Sequence, residues 1–311
     1  MHQRPYADTG KTVSEIGFGA WQLGNAHDWG AMTDDEGIQL VHAALDRGCN
    51  FFDTAPGYGH GASENLLGKA LQGHRDDVVI NTKFGHRANG TTDFSAAAIR
   101  PSIEESLRRL RTDYIDSLIL HNPPFEYLNG NSPQYEVLEQ LKTQGKIRAY
   151  GASVDSSRQM FELMQTTDSR VLEVMFNVFH QETAKAFSMA AEKQVAIIVK
   201  VPLDSGWLSG KYNADSQFTG IRNRWSNEVI HRRAQLVEKI RFVTDAHTSL
   251  TQAALRFILS HPEVTTIIPG TRSIQQLDEN LSAADTLMPA HHVVALQRIY
   301  QEDIAGSGLP W

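Results

Sequence analysis

Eight short apolar runs, each followed by a helical pattern, constrain this chain more than any other feature. They lie at 16–21, 50–53, 78–83, 117–121, 146–153, 171–177, 195–199 and 265–269. Short runs rich in β-branched and aromatic residues, bounded by Gly or Pro, are the signature of buried strands. A hairpin is expected around 6–14, where Asp8-Thr9-Gly10 supplies the turn. Helical spacing begins near Thr33 and closes at Gly48, and Ser63 is expected to cap a helix carrying Leu66, Leu67 and Leu71. Further helices are expected from near Ser95, over 134–143, around Met160, over 182–194, 228–246 and 252–260, and from near Ser273. A long polar loop runs over 205–227. Strands alternating with helices eight times predict an α/β fold, a (β/α)8 TIM barrel with an N-terminal hairpin and extra C-terminal helices. A doubly wound sheet is the alternative, but no Gly-x-Gly-x-x-Gly opens a helix after a strand. The 311 residues suit one barrel domain spanning 1–311, with no low-complexity linker to divide it.

In a parallel barrel the C-terminal strand ends converge on one rim, so residues distant in sequence meet there. Three runs end in a group that carries a proton or charge: Asp53, Lys83 and His121. Tyr58 follows Asp53 by five residues through the Pro/Gly-rich loop Thr54-Ala55-Pro56-Gly57, which lets its phenol lean over the mouth. Taken singly, Asp53 reads as a helix cap, Tyr58 as a loop aromatic, and Lys83 and His121 as solvated strand ends. Together they form a general-acid device. A tyrosine of pKa near ~10 is reluctant to give up its proton at neutral pH, whereas a nearby ammonium favours the phenolate. A carboxylate holds the ammonium in position, and an imidazole orients a carbonyl or relays the proton.

Charge and cysteine content narrow the alternatives. A net charge of −7 without a dense Lys/Arg block gives no support to a nucleic-acid partner. The start Met1-His2-Gln3-Arg4-Pro5 lacks a signal-peptide core, and no apolar run reaches the length of a membrane span, so no membrane is implied and a cytoplasmic location is expected. The single cysteine, Cys49, allows no intramolecular disulfide. Thirteen histidines show no metal-ligand spacing, so no metal is expected.

The chain resembles the aldo-keto reductases, particularly their bacterial sugar- and aldehyde-handling branches. The resemblance rests on Phe52-Asp53-Thr54-Ala55 through Tyr58, Ser63-Glu64-Asn65-Leu66-Leu67-Gly68, Thr82-Lys83-Phe84-Gly85 and Ser106-Leu107-Arg108-Arg109-Leu110. It continues through Asp113-Tyr114-Ile115-Asp116, Leu120-His121, Gly145-Lys146-Ile147-Arg148, Gly206 to Tyr212, Ile268 to Arg272 and Glu279-Asn280. It implies an oxidoreductase that needs no metal, with Tyr58 as general acid, Lys83 and Asp53 tuning it and His121 orienting the carbonyl. It also implies NADP(H) as preferred cofactor, with NAD(H) as the other choice, bound across the barrel mouth.

By the same resemblance Ser153, Glu173 and Lys200 stand at the nicotinamide, with Val154, Glu173 and Lys200 departing from the usual Asn, Gln and aromatic. Lys200 could face the ring, Glu173 or a substrate oxygen. Leu203, Ser205, Gly206, Leu208, Gly210 and Lys211 are expected along the pyrophosphate, the glycines allowing close approach to backbone N–H groups. Gly270, Thr271, Arg272 and Gln276 precede or open the last barrel helix, and Arg272 could fork onto a 2′-phosphate. Glu279 and Asn280 are expected at the adenosine. Trp21, Trp29, Phe84, Trp207 and Trp225 are expected to wall a pocket for small aldehydes or open-chain sugars, the small-molecule carbonyl or alcohol partner. Two other readings stay open at this point: an NAD-linked sugar or alcohol dehydrogenase, and a slow, redox-sensing cofactor binder. Oligomeric state is not legible.

Overall fold

The computed structural model describes residues 1–311, the side chain of Ile221 excepted. β1 (Gln3–Pro5) and β2 (Thr12–Ser14) pair antiparallel as the hairpin, which starts earlier than the turn signal suggests. The parallel strands are β3 (Phe18–Gly19), β4 (Phe51–Asp53), β5 (Val79–Phe84), β6 (Ile115–His121), β7 (Ile147–Val154), β8 (Val171–Met175), β9 (Ala196–Lys200) and β10 (Val264–Ile267). They are hydrogen-bonded in chain order. Parallel bridges Ile16–Ile267 and Gly19–Gly270 join the two ends of the sheet, which excludes the open, doubly wound alternative. The closure requires glycine at 19, where a Cβ would lie 2.6 Å from the Ile268 carbonyl oxygen.

Eight helices cover the barrel: Asp34–Asp46, Ala62–Ala70, Ala96–Leu110, Gln134–Thr143, Ser157–Thr166, Phe187–Glu192, Leu250–Leu259 and Ile274–Ser282. Two more, Asn227–Lys239 and Ala290–Asp303, are added and tied together by Arg232, which donates to the Asp303 and Gly308 carbonyls at 2.8 and 2.6 Å. Thr33 caps the first with a reciprocal Glu36 contact, as its sequence position suggests. Ser63 does not cap the second. Gly61, with φ +87°, holds the cap position, and the Ser63 hydroxyl instead donates to the Ala20 carbonyl at 2.8 Å, fastening this helix to the rim. The helix expected over 228–246 stops at Lys239, and the strand expected to reach Asn177 stops at Met175 because Asn177 turns the chain, accepting from the Phe179 and His180 amides.

The period-2 alternation of the strands decides what faces the site. Phe51, Val79, Ile119, Ala149, Val171, Ala196, Ile198 and Ile268 fill the barrel interior together with Tyr6 and Val13 from the hairpin. Their odd-even partners Phe52, Ile80, Phe84, Leu120, Val154, Leu172, Val174 and Val199 belong to the separate core between sheet and helices. Two residues beyond Phe51, Ile119, Val171 and Ile198 come the polar Asp53, His121, Glu173 and Lys200, on the same face of their strands. A hydrogen-bonded column links the hairpin to this layer. Tyr6 and Ser117 hydroxyls are 2.5 Å apart, Ser117 donates to Asn81 Oδ1 at 2.5 Å, and Asn81 Nδ2 donates to Asp53 Oδ2 at 2.6 Å.

Several of the motifs that carry the resemblance are structural. Buried Glu64 accepts from Thr82 at 2.7 Å and from Arg109 Nε at 2.6 Å, locking Ala62–Ala70 against β5 and Ala96–Leu110. Buried Asp116 accepts from the Ile80 amide at 2.9 Å and from Arg75 at 2.8 Å.

Candidate active site

Lys83 is fully buried at the end of β5. Its ammonium donates to both Asp53 oxygens at 2.7 Å and to the Thr54 carbonyl at 3.0 Å, and it lies 3.1 Å from Glu173 Oε2. Tyr58 opens the short turn Tyr58–Gly61 and places its ring 5.2 Å from the Lys83 ammonium, edge-on to His121 with centroids 5.8 Å apart. Trp21 stacks on the opposite side of that ring at 5.9 Å. The four residues picked from the strand ends therefore meet at one point.

Electrostatics follow from burial. Desolvation pushes the Tyr58 phenol above its ordinary range; Lys83 pulls it back, and the Asp53 and Glu173 carboxylates oppose Lys83. Lys83 thus lowers the phenol, as the ammonium's charge requires, but burial outweighs it and the two carboxylates add to burial. Burial and Glu173 likewise raise Asp53 against the pull of Lys83. In Glu173 the burial penalty is outweighed by Lys83 and Lys200, which hold it below the usual range.

Burial, then the charges of Lys83, Lys200 and His86, hold the His121 imidazole well below 6.5, so it is neutral at pH 7. Above pH 6.5 both folded and unfolded chains carry it neutral. As the pH falls below 6.5 the unfolded chain gains a proton that the folded one refuses, and stability is lost. His121→Gln is expected to flatten the fall in melting temperature between pH 6.5 and 5; an unchanged slope would remove His121 as its source.

Asp53, Tyr58 and His121 line a cavity of about 920 Å³, near the top of the roughly 300–1,000 Å³ range of ligand pockets. Trp21, Trp29, Lys200, Leu203, Ser205, Gly206, Lys211, Gly270, Thr271, Arg272, Gln276, Glu279 and Asn280 line it, and so does Glu173, beside Lys83. Ser153 lies fully buried beneath, between Glu173 and Lys200. The Lys200 ammonium is not hydrogen-bonded to Glu173. It donates to Asn122 Oδ1 at 2.6 Å and Ser153 Oγ at 2.8 Å, and pairs with Asp155 at 2.9 Å.

Phe84, Trp207, Leu208, Gly210 and Trp225 stand off the cavity wall. Phe84 is fully buried because its neighbour Lys83 points inward, which turns Phe84 out against Phe94 at 6.3 Å. Trp207 and Trp225 pack on each other at 6.1 Å and on Phe218, forming a core beneath the long loop. Leu208 is fully buried, and its amide donates to the Leu203 carbonyl at 3.1 Å. The Gly206 and Gly210 amides close turns onto Leu203 and Trp207 at 2.8 and 3.1 Å, so these backbone donors are engaged within the loop. The hydroxyl and cationic side chains along this wall are Ser205, Lys211, Arg222, Arg224 and Arg272.

Sequence reasoning passed over Asn122, Asp28, His86, Arg222, Arg224 and Trp311, all of which line the cavity. Arg222 donates to the Ser205 carbonyl at 3.0 Å and lies 4.6 Å over Trp29; Arg224 and Trp311 reach the Ser205 hydroxyl at 2.9 and 3.1 Å. Two arginines flanking Asn223, in a loop whose one carboxylate is Asp215, were the available signal. Trp311 gave none. Among the described residues no three His, Cys, Asp or Glu side chains group as a metal site, and no helix is long and apolar enough to cross a membrane.

A sequence model of the Aldo/keto reductase family matches residues 15–301. The chain is 31% identical to aldo-keto reductase YhdN of Bacillus subtilis, over 89% of this chain and 87% of that protein. It is 30% identical to L-galactose dehydrogenase of Arabidopsis thaliana, over 91% of this chain and 88% of the other. Among solved structures, aldo-keto reductase AKR11C1 from Bacillus halodurans in its holo form superposes with a TM-score of 0.81 at 27% identity, covering 96% of each chain.

Proposed function

The chain belongs to the aldo/keto reductase family, and we propose that it is an NADPH-dependent carbonyl reductase acting on small aldehydes or open-chain sugars, with Tyr58 as general acid. The observation that carries this reading is the buried Asp53–Lys83 pair facing Tyr58 and a neutral His121 beside the 920 Å³ cavity. A dinucleotide fits the residues present. Cationic side chains Lys211, Arg222, Arg224 and Arg272 line the part of the cavity suited to phosphates, and hydrogen-bonding groups surround the Lys83 end.

When bound, the reduced nicotinamide supplies a hydride to the carbonyl carbon. Tyr58 gives its phenolic proton to the carbonyl oxygen, and the Lys83 ammonium stabilises the phenolate left behind. Asp53 holds Lys83 in place through two 2.7 Å contacts. Neutral His121 orients the carbonyl by hydrogen bonding without adding a charge. Trp21 and Trp29, edge to face at 5.2 Å, form the apolar wall, while Asp28 and His86 offer polar contacts that suit hydroxylated substrates.

Arg272 is the proposed 2′-phosphate group. One of its nitrogens donates to the Ala31 carbonyl at 3.1 Å, which fixes the guanidinium at the cavity edge. Arg272→Ala is expected to raise the KM for NADPH by roughly tenfold or more, since a charge-assisted hydrogen bond contributes about 1.5–3 kcal/mol, and to change that for NADH little. Absorbance assays with each cofactor and an aromatic aldehyde check this; equal losses for the two would refute the NADP preference. The likeness to L-galactose dehydrogenase favours a second reading, oxidation of a sugar or alcohol at the same residues, for which we take NAD as the acceptor. The ratio of turnover with the two cofactors separates the two.

A further inference from the structure

A nicotinamide carboxamide presents a carbonyl that accepts a hydrogen bond and an NH2 that donates two. Ionised Glu173 can take one from the NH2 but has nothing to give the carbonyl. Val154, at the position next to Ser153, faces the helices. We infer that Asn122 is the missing donor, holding the carboxamide carbonyl through its side-chain Nδ2; the assignment rests on the cofactor role proposed above.

The orientation of the Asn122 amide is fixed by chemistry. A lysine ammonium only donates, so the Asn122 atom 2.6 Å from Lys200 Nζ is the oxygen. The Ser153 hydroxyl lies 2.8 Å from the same oxygen and 3.1 Å from Glu173 Oε1, and gives its one proton to either. Both contacts to Asn122 thus fall on Oδ1, and Nδ2 has no partner among the described residues. Asn122 lines the cavity together with His121, Glu173 and Lys200. In register, His121 pairs with Ser153 and Ser153 with Glu173, so donor and acceptor stand at one level of the barrel. This gives Lys200 a purpose at a position where stacking is impossible for it. Braced by Asp155 at 2.9 Å, it is a strut that turns the Asn122 donor toward the ligand.

Asn122 also has φ +48°, a left-handed conformation that Asn tolerates well and that the chain needs between β6 and Pro123. A purely backbone role is separable by Asn122→Gly, which accommodates that conformation and removes the amide, and by Asn122→Asp, which keeps the shape but replaces the donor with an acceptor. The experiment titrates wild type and both variants with NADPH and with 2′-phospho-ADP-ribose, which lacks the nicotinamide, following quenching of tryptophan fluorescence. Both variants are expected to raise the Kd for NADPH roughly tenfold and leave that of the nicotinamide-free fragment unchanged. An unchanged NADPH Kd, or equal weakening of both ligands, overturns the assignment and leaves the reductase reading standing. Wild-type protein that binds neither ligand overturns both.

Discussion

Tyr58→Phe is expected to lower the turnover of aldehyde reduction by roughly 10²-fold or more, the usual contribution of a positioned general acid. The substitution removes a single oxygen and keeps the ring that packs between Trp21 and His121. Cofactor affinity and melting temperature should therefore be preserved. The residual rate should also lose its dependence on the ionisation of the phenol, since no group of comparable acidity stands in its place. Because burial raises the phenol, the wild-type reductase rate should hold through neutral pH and well into the alkaline range before the acid is lost. Steady-state kinetics from pH 6 to 10, with cofactor titrations alongside, check both points. Near-wild-type reduction by the variant would sink the assignment of Tyr58.

Lys83→Met is expected to be the most destabilising single change in the site as well as an inactivating one. It leaves Asp53 and Glu173, both almost wholly buried, facing each other with no cation between them. Breaking a buried ion pair from one side costs about 3–5 kcal/mol. The pH dependence follows from the direction of the carboxyl shifts. Without the ammonium, desolvation and mutual repulsion raise both folded-state pKa values above the unfolded ones near ~4. The folded variant then holds protons that the unfolded chain releases, so its stability falls as pH rises from about 4 through the raised values. Urea denaturation at pH 5 and pH 8 should show the deficit growing with pH. A deficit equal at both would mean that lost packing, not the unpaired buried carboxylates, dominates.

Asn81 and Ser117 show how far the barrel reaches beneath these residues. Together with Tyr6 they form the column under Asp53, so the hairpin that plugs the far end also steadies the carboxylate that steadies Lys83. None of the three ends an apolar run, which is why they were invisible as site residues in the sequence.

The sequence by itself determined the order of strands and helices and, through strict alternation, which side chain of each strand could face inward. That suffices to bring Asp53, Lys83, His121, Ser153, Glu173 and Lys200 to one end of the barrel, because a closed parallel barrel leaves an inward side chain nowhere else to point. The same alternation, read one step further, turns Phe84 and Val154 away. Only the tertiary structure decided what the rim loops contribute. Trp207 and Trp225 became a loop core, the Gly206, Leu208 and Gly210 amides closed on their own loop, and Arg222, Arg224 and Trp311 came to the cavity from segments without periodicity. Strands carry a local rule for direction that every residue obeys. Loop residues take their direction from contacts made dozens of residues away, and those contacts exist only once the barrel has closed.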